Sequence, residues 1–217
     1  RWCHPMAVTR RPPVRPLRKP SSRYHHGDLR RALLEEAVRT ITLHGVDGLT
    51  LREAGHRLGV SRTALYRHFP SKAALLAAVA RDGFQRFAHA LASSRDEGAA
   101  DAALQRMGAA YVEFALDNPS HYRVMFGNFR SQCEWDPELT TEARASFQVL
   151  VDAVAMLHGR GRLDGGDPEH LAYLIWATVH GIAMLAIDGQ LGPDPRTQAL
   201  ALAELAGHRM GRVTPAA

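Results

Sequence analysis

Cysteine is nearly absent. Only Cys3 and Cys133 occur in 217 residues. They lie far apart and in no C-x-x-C spacing, which excludes a disulfide scaffold and a cysteine zinc module and points to a reducing, cytoplasmic setting. His25-His26, and His4 beside Cys3, match no zinc spacing either, so no metal is expected. No uninterrupted apolar run reaches the ~18 residues of a membrane span, and the N-terminus has no apolar h-region, so no membrane partner is expected. Runs of β-branched residues are scarce, which removes the usual strand signal. There is no glycine-rich phosphate loop and no nucleophile elbow. Glu35-Glu36 reads as a carboxylate pair on a solvated helix face, and Asp96, Glu97 and Asp101 read as linker charges. No catalytic constellation remains, so neither an enzyme nor a cofactor is indicated.

What is present is alanine, leucine and arginine, a composition that leans to helix, and an uneven charge. Residues 1–80 carry 15 Lys and Arg against 5 Asp and Glu, whereas residues 81–217 carry 12 against 17. A basic first third on an acidic remainder is the pattern of a polyanion-binding head on a body that binds none. Residues 1–23 hold many of those basic groups with no acidic residue and little periodicity, and read as a disordered basic arm. Met6 is a candidate natural start, which would make residues 1–5 a leader.

The most informative stretch is TLREAGHRLGVSRTALYRHFPSK, residues 50–72. Leu51, Ala54, Gly55 and Leu58 fall on one helical face, and Thr50 with Glu53 has capping-box spacing. Gly59 ends that segment and Ser61 caps the next. There Leu65 and Phe69 face one way while Arg62, Thr63, Tyr66 and Arg67 face the other. The pattern is a helix-turn-helix whose wet face fits a major groove. A supporting helix is predicted over 28–44 through Leu29, Leu33, Ala37 and Ile41, stopped at Gly45.

Pro70 and Ser71 then open a long helix over 71–91, followed by a break at 93–100. Further helices are predicted over 101–117, 120–126, 138–158, 168–191 and 197–210, with 127–137 a loop carrying Phe129 and Trp135. The 168–191 segment is apolar nearly all round, as in a helix buried between others. The fold class is all-α: a basic arm over 1–23, a helix-turn-helix head over 24–80 and a helical regulatory and dimerisation domain over 81–217.

The runs GLTLREAG and LGVSRTALYRHFPSKAALLAAV, residues 48–55 and 58–79, resemble the DNA-binding head of the TetR-type transcriptional regulators. Tyr24 to Leu29 is similar to the start of the first helix in one branch of that family. Trp176, His180 and Gly181 reproduce the Trp-x-x-x-His-Gly signature of that branch's C-terminal domain. Gly55, where the family commonly has Ala, and Leu58, where a smaller residue is frequent, depart from the pattern.

The resemblance implies a homodimeric, ligand-responsive repressor that binds a palindromic double-stranded DNA operator. It places base contacts on Arg62, Thr63, Tyr66 and His68 and phosphate contacts on Thr50, Arg52, Ser61 and Lys72. The chemistry agrees: Arg62 can reach guanine O6 and N7, Thr63 a thymine methyl, and Tyr66 and Lys72 phosphate oxygens. His68 also lies beside the Leu65 and Phe69 face and is equally read as a packing residue. Candidate contacts to an unknown small-molecule inducer are Tyr111, Phe114, Met125, Phe129, Phe147, Tyr173, Trp176 and His180, with a buried structural role as the alternative for His180. Gly181 is read as permitting close helix approach. Residues 168–210 carry more apolar surface than one small body needs and are the expected dimer interface. The competing reading is a helical small-molecule binder or enzyme with an incidental basic head.

Overall fold

The computed structural model describes residues 26–127, 136–163 and 166–210, apart from the side chains of 26–28 and 101, and within them every regular element is a helix. The basic arm, His25, the side chain of His26, Phe129 and Trp135 fall outside what is described. The elements are α1 (His26–His44), α2 (Leu51–Arg57), α3 (Arg62–His68), α4 (Lys72–Asp96), a 3₁₀ turn (Ala100–Ala102), α5 (Ala103–Asp117), α6 (Pro119–Phe126), α7 (Pro137–Gly159), α8 (Pro168–Ile187) and α9 (Pro195–Met210).

Local chemistry explains the starts. Asp136-Pro137, Asp167-Pro168 and Asp194-Pro195 open α7, α8 and α9 in the same way. Each aspartate accepts the backbone N–H three residues on, from Leu139, His170 and Thr197, at 3.1, 3.3 and 3.2 Å. The proline that follows has no N–H to leave unpaired at the first helical position. Ser61 and Ser71 cap α3 and α4 through the amides of Ala64 and Ala74. Of the expected capping box only the Thr50 half forms. Its hydroxyl accepts from Glu53 N at 3.2 Å, while the Glu53 carboxylate turns to Arg57 at 2.7 Å. A charge-assisted bond to arginine outcompetes the backbone amide.

In the head, Leu29, Leu33, Ala37 and Ile41 of α1 are buried with Leu49, Leu51, Ala54, Leu65 and Phe69. Gly59 takes φ +66°, the left-handed turn that glycine adopts without a Cβ clash. A Cβ on Gly55 would stand 3.0 Å from Leu65 Cδ2. The absent methyl thus lets Leu65 seat against α2, setting contact against a helix penalty of roughly 0.5–1 kcal/mol. Glu36 corrects the expectation of a solvated carboxylate pair. It is 5% exposed and accepts from Arg39, Thr40 and Arg57, tying α1 to α2. A buried carboxylate is tolerated when its oxygens are so engaged.

α4 runs five residues beyond the predicted end, so the break shrinks to 97–99, and the division between head and body at residue 80 falls inside this one helix. It packs against α5, α6 and α7, while α5, α7, α8 and α9 pack among themselves. Small residues set the closest crossings. Val112, Ala186, Ala199 and Ala203 form an α5–α8–α9 cluster. A Cβ on Gly207 would lie 3.0 Å from Gln105 Cα, and one on Gly83 2.6 Å from Met125 Sδ.

α8 departs from expectation in two ways. It ends at Ile187, with 188–191 forming a turn, and it is not covered all round. Ala172, Ile175, Val179 and Ala183 face the body, whereas Tyr173, Leu174 and Leu185 are 47%, 58% and 42% exposed. By length and composition alone α8 is apolar enough to cross a membrane. Gly181 has no atom of another described element within 4 Å of where its side chain would be, so among the described residues no other helix approaches it closely.

Candidate functional site

Two places concentrate chemistry: the outer face of α3 and a cavity in the body. Leu65 and Phe69, both 2% exposed, anchor α3 inward. With a period of 3.6 residues this leaves Arg62, Thr63, Tyr66 and Arg67 on solvent. The Arg62 guanidinium carbon stands 5.9 Å above the Tyr66 ring, which holds a long side chain in place before any contact is made. Thr50 and Arg52 at the start of α2 are exposed, as is Ser61, and Lys72 opens α4 half-exposed. The Thr50 and Ser61 oxygens accept the capping amides, so each O–H remains available to donate to a phosphate oxygen. His68 stands apart. It is half-buried and its Nε2 is shielded from solvent.

The body holds a cavity of about 410 Å³ between α4, α5, α7 and α8. Its walls are Phe84, Phe87, Leu91, Leu104, Met107, Gly108, Tyr111, Phe126, Phe147, Leu150, Ile175, Trp176 and Val179, and the polar side chains of Arg144, Gln148 and Glu169 also line it. Of the candidate ligand contacts, Tyr111, Phe147, Tyr173 and Trp176 line this space. Phe114, Met125 and His180 do not, and Phe129 is outside the described residues. Met125 is fully buried where α6 crosses Gly83, and Phe114 packs on Phe87 with ring centroids 5.1 Å apart. The α4 wall was missed because apolar periodicity looks the same beside a cavity as inside a core. Arg144 and Glu169 carry no spacing signal.

Behind the cavity four polar side chains satisfy one another. Trp176 Nε1 donates to Tyr111 Oη at 3.1 Å. Tyr111 Oη lies 3.0 Å from Tyr122 Oη and 2.9 Å from His180 Nδ1, and Tyr122 Oη lies 2.6 Å from His180 Nδ1. Burial raises both phenols well above the usual tyrosine range and lowers His180. All three are therefore neutral near pH 7. One assignment uses every proton: Trp176 to Tyr111, Tyr111 to Tyr122 and Tyr122 to His180 Nδ1, with the imidazole proton on Nε2.

α6 connects this network to the head. Tyr122 belongs to the network, while its neighbour His121 bonds Asp82 of α4 at 3.2 Å, which with Arg86 holds the Asp82 carboxyl below its ordinary range. Ser120 pairs with Thr42 of α1, oxygen to oxygen at 2.7 Å. α7 is tied to α4 by the Arg81–Glu138 ion pair and by Gln85 donating to Glu142 at 2.8 Å. α6 thus carries neighbouring side chains bonded to the network, to α4 and to α1.

Comparison with known proteins adds sequence and structural relatives. Residues 33–79 match the bacterial regulatory proteins of the tetR family, and residues 104–208 match the tetracyclin repressor-like C-terminal domain. The HTH-type transcriptional regulator RutR of Escherichia coli is 30% identical over 161 residues, which cover 72% of this chain and 74% of that protein. A protein of unknown function from Rhodococcus sp. RHA1 superposes with a TM-score of 0.76 at 34% identity, over 88% of this chain and 100% of that one. A bacterial regulatory protein in the tetR family from Rhodococcus RHA1 superposes with a TM-score of 0.65 at 25% identity, over 85% and 98%.

Proposed function

The chain belongs to the tetR family of bacterial regulatory proteins, and from that premise we propose that it is a ligand-released repressor, acting in the cytoplasm as a homodimer on a palindromic operator. The observation that carries the reading is the exposed Arg62, Thr63 and Tyr66 face of α3, seated on Leu65 and Phe69 and set in a basic head. Arg62 and Thr63 read base edges; Tyr66, Thr50, Arg52, Ser61 and Lys72 position the head on phosphates. His68, half-buried, orients α3 and touches DNA least.

The second copy is read from the outward side of α8 and α9. Leu174, Gly181 and Leu185 share one side of α8 by helical spacing, and Leu202 and Leu205, at 37% and 54% exposure, stand on α9, which packs against it. Two α8–α9 pairs facing across a two-fold axis make a four-helix interface, and Gly181 admits the partner. The symmetric dimer sets the recognition helices about 34–36 Å apart, or more if the dimer is wide. Occupation of the cavity moves α6 and α7 against α4, and the head spacing changes with them. That is a coupling between separate sites.

The test is selection of bound duplexes followed by titration. Arg62→Ala is expected to cost roughly 1–3 kcal/mol on the selected duplex and far less on random DNA. Equal losses on both would remove Arg62 from base readout. Binding that ignores salt would favour the competing reading of an incidental basic head, because phosphate contacts must weaken as salt rises.

A further inference from the structure

The cavity's polar groups divide into those engaged with one another and three left open at its mouth, the Tyr173 hydroxyl, the Glu169 carboxylate and the Arg144 guanidinium. At the inner end, Tyr111 and Trp176 spend their polar atoms on each other and on Tyr122 and His180. The Ser146 hydroxyl is spent on Ala143 O at 2.8 Å. A ligand reaching that end meets nothing that asks for a hydrogen bond. The remaining wall is aromatic: Phe147 lies 4.7 Å from the Tyr173 ring and 5.8 Å, edge to face, from Trp176. Such walls favour a flat or bulky hydrocarbon body over a polar one.

The outer end differs. Gln148 donates to Asp152 at 2.8 Å. Glu169 stands in the first turn of α8, where a carboxylate complements the helix dipole, so its charge has a structural reason. Arg144 has none. It is exposed, sits within α7 away from either helix end, forms no hydrogen bond or ion pair among the described residues, and lines the mouth of the cavity. A guanidinium offers a planar fork of donors that matches a carboxylate and no hydrocarbon.

Resting on the reading of this cavity as the ligand site, we infer that its ligand is an apolar carboxylic acid, with its ring body against Phe147 and Trp176 and its carboxylate on Arg144. The same hydrocarbon as a neutral amide keeps one carbonyl acceptor for the guanidinium but loses the ion pair and the second oxygen of the fork, and as an amine it meets Arg144 as a like charge.

Calorimetry with naphthylacetate, naphthylacetamide and naphthylethylamine on the full chain tests this. In the wild type the acid should bind roughly tenfold tighter than the amide, with the amine weakest. Arg144→Gln should remove that preference and lower the affinity for the amide far less than that for the acid, so retained amide binding shows that the cavity is intact. The inference is overturned if acid and amide bind alike in the wild type, if the preference survives Arg144→Gln, if the amine binds tightest, or if no probe binds. Release of the operator duplex separates this inference from the reading beneath it. An amide that binds as well as the acid and releases DNA would leave a ligand-responsive regulator with a different ligand class. An acid that binds through Arg144 but leaves operator affinity unchanged would contradict the regulatory reading and keep the head-group assignment.

Discussion

Leu174→Glu combined with Leu205→Glu is expected to give a folded monomer that has lost operator binding. Both side chains are more than half exposed in one chain, so neither substitution creates a cavity or buries a charge within it. Surface substitutions of this kind normally move stability by less than about 0.5 kcal/mol. In a symmetric dimer each charge appears twice across the axis, against apolar surface and against its own copy, and the interface fails. The two heads then no longer bind as one unit, and the avidity of the second half-site, roughly 10²–10⁴-fold, disappears. Sedimentation reports the mass, circular dichroism the fold and anisotropy the affinity. A double variant that stays dimeric and binds normally would move the interface away from α8 and α9.

Tyr122→Ala should be the most destabilising single change in the body, at about 3–5 kcal/mol. Tyr122 is fully buried, and its ring stacks on His180 with centroids 5.6 Å apart and tilts against Phe126 at 4.8 Å. Removing it empties a ring-sized volume and takes away the hydroxyl beside His180 Nδ1. Tyr122→Phe isolates the hydroxyl and should cost about 0.5–1.5 kcal/mol, the net worth of one hydrogen bond, because Tyr111 Oη at 2.9 Å can donate to His180 Nδ1 in its place. At roughly 2–4 °C per kcal/mol for a chain of this size, the two variants separate clearly in a thermal melt. The melts need equal protomer concentrations, because a dimer's apparent stability depends on them. Equal midpoints for Phe and Ala would show that the packing of the Tyr122 ring contributes little.

The helices and the head were legible because the signals are local. Leu29, Leu33, Ala37 and Ile41 repeat at helical spacing, Ser61 and Ser71 cap where expected, and the α3 face separates Leu65 and Phe69 from Arg62 and Tyr66. What escaped depends on tertiary partners. Glu36 reads like any solvated glutamate until Arg57 of another helix covers it. Gly55 reads as a weak point until Leu65 occupies the space of the missing methyl. Met125 and Phe114 have the right character for a pocket but point into the core, whereas Phe84 and Phe87 of the connecting helix line it. The continuous apolar pattern of α8 mixes two faces, one turned to the body and one to solvent, and periodicity cannot say which surface a second copy covers.

The most direct measurement of operator control is equilibrium binding to a duplex recovered by selection, with random duplex alongside, across a range of salt. The predicted result is one dimer per selected duplex, an affinity at least ~10³-fold above random DNA, and a steep loss of binding as salt rises. Equal affinity for selected and random duplexes, or binding by a single protomer, would contradict it.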